Sequence, residues 1–250
     1  MVRNTLLTIY ATFHSNSRSN LHLLTFIVLY LVTTLAHSVE VFGHELSGMI
    51  EDDGTGVYQV LVLKLSERFG LDSPVISISP MKRARADFEK NKDACRIDGD
   101  EIFSEWAIYS NPLGAYRLHL MTLRSQPLVH SIAELGPRTT LGGLLGLKPA
   151  YQNTAIAHFK IEEVLHERQN IDKLKLERID AILGFVPDYN KYLDQLHFDS
   201  KLVLLEGYDR LYCHNTDKAR EYLRNFNLAL DRMKADGSYK QIMGTFYLGE

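Results

Sequence analysis

Residues 54–80 read GTGVYQVLVLKLSERFGLDSPVISISP, and their pattern decides the fold class. A glycine-broken loop runs to Gly56. Val57, Tyr58, Leu61, Val62, Leu65 and Phe69 then recur at helical spacing until Gly70 stops them. Pro74 to Pro80 follows as an apolar strand bracketed by prolines. Working outward, Val39 to Phe42 predicts a strand before this unit. Lys82 to Lys90 predicts a polar helix with Ala84 and Phe88 inward, and Asp93 to Ile97 and Trp106 to Tyr109 predict further strands. Strands alternating with helices in this order predict an α/β fold built on a parallel sheet.

The same alternation returns downstream. Ala115 to Leu123 is long and extended, suited to crossing between two lobes. Arg138 to Leu141 predicts a strand, and Gly142-Gly143 predicts the opening of a helical region reaching Phe159. Ile161 to His166, Asp180 to Leu183 and Lys201 to Leu205 predict strands, separated by helices at Ile171 to Leu176 and Val186 to Leu196. Asp209 to His214 returns as a strand. Ala219, Tyr222, Leu223, Phe226, Ala229, Leu230 and Met233 then form one helical stripe, with Thr216 as N-cap and Gly237 as stop.

Composition narrows the class. The 250 residues are 45% hydrophobic and 24% charged, which excludes a disordered or collagen-like chain. A net charge of -3 argues against a general nucleic-acid binder, which needs a basic surface. The charge is also unevenly placed. Residues 1–38 hold Arg3 and Arg18 and no acid, leaving 26 Lys+Arg and all 31 Asp+Glu to the remainder. Within that acid-free start, Leu23 to Val32 reads LLTFIVLYLV, the length of a signal-peptide core and too short to span a membrane. Ala36 and Ser38 supply the small residues of a cleavage site. The expectation is a signal peptide over residues 1–38, cleavage near Ser38 and a periplasmic mature chain, with an uncleaved anchor as the alternative.

Cys95 and Cys213 are the only cysteines. In an exported chain they form one disulfide or remain two buried thiols. The ten histidines are scattered and no CxxC occurs, so no metal and no cofactor is expected. There is no Gly-x-Ser-x-Gly, no HExxH and no P-loop, since Gly142-Gly143 is not followed by Gly-Lys-Ser/Thr.

Several stretches resemble the bacterial extracellular solute-binding proteins of family 3, the periplasmic domains serving amino-acid ABC transporters. Gly56 to Gly70 looks like the family's first helix, and Pro80-Met81-Lys82-Arg83-Ala84 like its proline, aromatic, Lys, Arg, Ala segment. Asp93-Ala94 opens the next strand, and Tyr109-Ser110-Asn111-Pro112-Leu113 resembles Phe-Ser-x-Pro-Tyr. Glu177-Arg178-Ile179-Asp180-Ala181 resembles Gly-Arg-Ile-Asp-Ala with Glu177 in place of the glycine, and Leu230 to Tyr239 looks like the closing helix. The resemblance implies a two-lobed periplasmic-binding-protein-like fold of type II. Lobe one would comprise residues 39–118 and 208–250, and lobe two residues 119–207. The ligand would sit between them at the carboxyl ends of the strands.

The family holds a ligand carboxylate with an arginine just before the Phe-Ser-x-Pro segment, because the guanidinium fork pairs both oxygens. Here the matching stretch, Ile102-Phe103-Ser104-Glu105, has no arginine. Arg96 is the candidate substitute, against an ordinary ion pair with Asp98 or Asp100. Tyr58 and Trp106 are candidate stacking faces, or core and packing aromatics. Ser110 is a candidate hydroxyl donor, or a strand-end turn. Gly142 and Gly143 are candidates for an anion-binding helix start, or a turn pair. Asp188 is a candidate partner for a ligand ammonium, or a helix cap.

The expected function is non-catalytic capture of a small polar solute by hinge closure. The expected partners are the ligand and an ABC permease or membrane sensor, the chain being monomeric. Two alternatives stand: an enzyme like cyclohexadienyl dehydratase on the same fold, with Glu105 as general acid, or a divergent sensor module without a small ligand.

Overall fold

The computed structural model describes residues 39–249 apart from 72–73, 100–105 and 153. The expected signal peptide and Glu105 lie outside the described residues. No helix among the described residues is long and apolar enough to cross a membrane.

The first body begins with β1 (Glu40–Gly43), α1 (Val57–Phe69), β2 (Val75–Ile78), α2 (Met81–Lys90) and β3 (Cys95–Gly99). β1 pairs with β2 and β3, both in parallel, as helical crossovers require. Gly70 ends α1 in the left-handed region, at φ 65°, which glycine adopts without steric penalty. The stripe Tyr58, Leu61, Val62 and Leu65 is buried against Cys95, Ile97 and the last long helix, α5 (Asp217–Ala235). The Thr216 hydroxyl caps α5 by accepting the Ala219 N–H at 3.2 Å. A short α6 (Ser238–Met243) follows from Gly237 and packs on α1 and α5. On the opposite sheet face Ala84 and Phe88 of α2 pack with Phe42, Ala94 and Tyr212.

The second body contains β6 (Thr140–Leu144), α3 (Lys148–Gln152), β7 (Lys160–Val164), α4 (Glu167–Lys175) and β8 (Ala181–Val186). β6 lies between β7 and β8, parallel to both. Two long antiparallel strands, β5 (Gly114–Leu123) and β10 (Leu205–His214), run through both bodies and make the strand order β2-β1-β3-β10-β5-β8-β6-β7. Two shorter strands edge this path: β4 (Ala107–Tyr109) on β10 and β9 (Leu196–His197) on β5. Cys95 and Cys213 are opposite residues of β3 and β10 and are joined by a disulfide.

Three expectations are corrected. Gly142 and Gly143 do not open a helix; they lie inside β6, and among the described residues between Gly142 and Phe159 the only helix is the short α3. A Cβ on Gly142 would fall 2.5 Å from Ile179 and 2.6 Å from Asn170, and one on Gly143 would fall 2.8 Å from Tyr151. The pair is there for close packing. The helix expected at Val186–Leu196 is a run of turns holding one short 3-10 helix, Asn190–Tyr192. Pro187 ends the ladder, and bonds such as Asn190 N–H to Pro187 C=O at 2.8 Å are of the tight turn type. Lys201 to Leu204 is not strand either; the ladder with β5 starts at Leu205, opposite Leu118, after a single Leu204 N–H bond to the Leu118 carbonyl at 2.9 Å.

Glu177, standing where the resembled family has glycine, is the one non-glycine residue with positive φ, 53°, among those described. The left-handed conformation costs a side-chain-bearing residue about 1–2 kcal/mol, partly offset by the entropy glycine loses on folding. Glu177→Gly is therefore expected to raise stability, by up to about 1 kcal/mol, in a urea titration. A lowered midpoint would show that Glu177 makes compensating contacts.

Candidate functional site

Parallel strands leave their carboxyl ends on one side of a sheet, and the loops there meet between the two bodies. His44 and Glu45 follow β1, Ser79 to Lys82 follow β2, and Asp98 and Gly99 close β3. From the other body, Leu144 closes β6 and Leu145 follows it, Leu165 to Glu167 follow β7, Phe185 lies near the end of β8 and Asp188 lies just past it. These residues, with Tyr116 and Asp209 of the long strands, line a cavity of about 570 Å³.

Asp209 sits where β10 changes partner. It is opposite Gly114 of β5 on one side and Gly99 of β3 on the other. The Tyr58 hydroxyl donates to its Oδ2 at 2.7 Å, inside the protein. The approach depends on Gly114, because a Cβ there would lie 2.3 Å from the Tyr58 oxygen. Burial, and then the Asp209 charge, push the Tyr58 hydroxyl well above the usual phenol range, so it remains a donor.

Asp188 is 8% exposed and makes no ion pair among the described residues. Burial, reinforced by the nearby charges of Asp209 and Glu167, holds its carboxyl well above the usual range. Asp98 is better served. It pairs with Arg96, with Arg85 at 3.4 Å, and accepts the Gly99 N–H at 2.9 Å. His44 is 6% exposed, and burial lowers its pKa, so the ring is neutral. Its Nδ1 and the Ser79 Oγ have no hydrogen-bond partner.

Of the residues singled out from sequence, Asp188 lines the cavity. Tyr58 is fully buried and touches the site only through Asp209. Arg96 is buried, engaged with Asp98 and lying over the Phe88 ring, and does not line the cavity. Trp106 is 42% exposed and stacks on His214 at 4.5 Å, away from the cavity. The Ser110 hydroxyl donates to the Asn111 carbonyl and accepts the Leu211 N–H, a strand-end role. Gly142 and Gly143 pack inside the second body. The sequence reading did not single out Asp98, Asp209 or His44 as site residues. Asp98 and His44 had a usable signal, since each stands at or just past the end of a predicted strand.

No protein-family model matches the chain, and no curated protein matches it either. Solved structures do. The GluR0 ligand-binding core from Nostoc punctiforme in complex with L-glutamate superposes with a TM-score of 0.69 at 18% identity, covering 84% of this chain and 99% of that one. An ancestral amino-acid-binding protein, a precursor of cyclohexadienyl dehydratase, gives 0.68 at 16% identity over 84% and 95%. The substrate-binding protein of an amino acid ABC transporter gives 0.63 at 15% over 85% and 100%. The chain has the type II fold of the amino-acid substrate-binding proteins. In that fold the two bodies are lobes, and the cavity is the cleft between them.

Asp188 makes apo stability depend on pH. Below the unfolded carboxylate value of about 4, folded and unfolded chains are both protonated there. Between that value and the elevated folded one the native state holds a proton that the unfolded chain has released, so stability falls as pH rises until the folded group also releases its proton. Asp188→Asn carries no such loss. Its advantage over the parent in urea is expected to grow between pH 4.5 and pH 8; an advantage independent of pH would mean another group is responsible.

Proposed function

We propose that this protein captures a small polar solute by closing two lobes over it, and that a membrane partner, an ABC permease or a sensor, reads the closed form. The observation carrying this reading is the cleft itself, to which both lobes bring polar groups: His44 and Asp98 from one, Glu167 and Asp188 from the other. Such groups gain a shared ligand only when the lobes approach, so the ligand binds the closed state better and shifts the population toward it. Residues 39–118 and 208–250 would move as lobe one against residues 119–207 as lobe two. In keeping with this role the chain would be exported after cleavage near Ser38 and would act as a monomer.

A second reading is catalytic. A buried carboxyl with an elevated pKa, as at Asp188, suits a general acid. Turnover of prephenate or arogenate by the purified protein, lost in Asp188→Asn, would establish that reading over capture.

The first test is a thermal-shift screen of amino acids, polyamines, small sugars, organic acids and aromatic acids. A ligand at about 100 times its dissociation constant adds roughly 2.7 kcal/mol, a readily measured shift. A hit is expected to shrink the radius of gyration in solution scattering. A flat screen on folded protein would reject solute capture and leave a sensor module without a small ligand.

A further inference from the structure

The cleft carries an unusual charge. Six carboxylates line it, Glu45, Asp52, Asp98, Glu167, Asp188 and Asp209, whereas Lys82 is the only lysine or arginine among the described lining residues. Lys82 stands exposed in the first turn of α2. Arg85 and Arg96 are ion-paired with Asp98 and absent from the cavity wall. The segment from Ile97 to Asn111 contains no lysine or arginine. A ligand carboxylate entering this cleft meets no guanidinium fork among the described lining residues and faces the Asp209 carboxylate. Like charges in a partly dry cleft repel strongly.

The unsatisfied groups point the other way. Asp188 makes no ion pair among the described residues, the Lys191 charge being the one cation that acts on it, and the Nδ1 of His44, a ring more than nine-tenths buried in the wall, lacks a partner. A carboxylate and a neutral imidazole nitrogen both accept hydrogen bonds, and an ammonium group offers up to three N–H donors. Much of the rest of the wall is apolar, with Leu46, Met49, Met81, Leu144, Leu147 and Phe185. Such a wall suits a methylene chain and rejects a strongly hydrated polyol.

We propose that the cleft takes an organic amine that carries a methylene chain and no carboxylate, the chemistry of a short diamine or polyamine. This inference rests on the solute-capture reading. Asp188 holds one ammonium group, with Glu167 adding to the field from the same lobe. The acids of lobe one, Glu45 and Asp52, draw the remaining positive charge across the cleft and so favour closure.

The test uses pairs differing by one carboxylate: cadaverine against lysine, and agmatine against arginine. Each is titrated into the full chain by calorimetry. The amines are expected to bind at least tenfold more tightly than the amino acids. Asp188→Asn is expected to weaken cadaverine at least tenfold while circular dichroism and cooperative unfolding are retained. Glu167→Gln, at a partly exposed site with little folding risk, is expected to weaken it about two- to fivefold. Amino acids binding as tightly as the amines would overturn the amine assignment and leave solute capture standing. Amine binding indifferent to both substitutions would overturn the placement. Absence of binding by any solute of the wider screen would overturn capture and amine specificity together.

Discussion

The antiparallel pairing of β5 with β10 is the constraint on which the molecule depends. Leu205 to Asp209 pairs with β5, whereas Asp209 to Cys213 pairs with β3, so one strand belongs in turn to two neighbours. Both lobes hang on this exchange. It places Asp209, the residue common to both ladders, in the cleft wall, opposite Gly99 on one side and Gly114 on the other. Tyr58 then ties the same carboxylate to α1. A buried carboxylate without such a donor would be costly. The packing of lobe one and the chemistry of the cleft therefore meet in one hydrogen bond.

The remaining acids are treated differently from one another, and that difference organises the site. Asp98 is neutralised by two arginines from its own lobe, so it is part of the wall. Asp188 has no such partner and is held partly by proton uptake. A protein that keeps an unpaired acid in a cleft accepts lower stability in the empty state. A cation arriving there gains what the fold withheld. The same logic explains why the arginine lacking at residues 102–105 cannot be supplied by Arg96, which is already engaged in the wall.

Much of the fold was legible in the sequence because its cues are local. The stripe from Val57 to Phe69, the proline-bracketed PVISISP and the capped helix after Thr216 each declare themselves within one element. The misread segments share another cause. Gly142 and Gly143 look like a turn, but their role is set by Asn170, Ile179 and Tyr151, which approach only in the folded lobe. The apolar spacing after Val186 fits a helix, yet Pro187 and the polar run Asp188 to Lys191 satisfy it with turns. The site was less legible still. Asp188 stood out as an acid after a strand. Asp209 carried no local mark, because its importance comes from a change of strand partner that only topology creates.

The Cys95–Cys213 bond gives this arrangement a mechanical character. It fastens β10 to β3 four residues beyond Asp209, so the far half of the strand is clamped to lobe one. If the lobes close as proposed, β10 would act as a beam fixed at one end and flex over the stretch shared with β5, with its fulcrum beside Asp209. An oxidising compartment supplies the bolt; in a reducing one the same strand would flex over a longer span, and the swing of the lobes would lose its fixed axis.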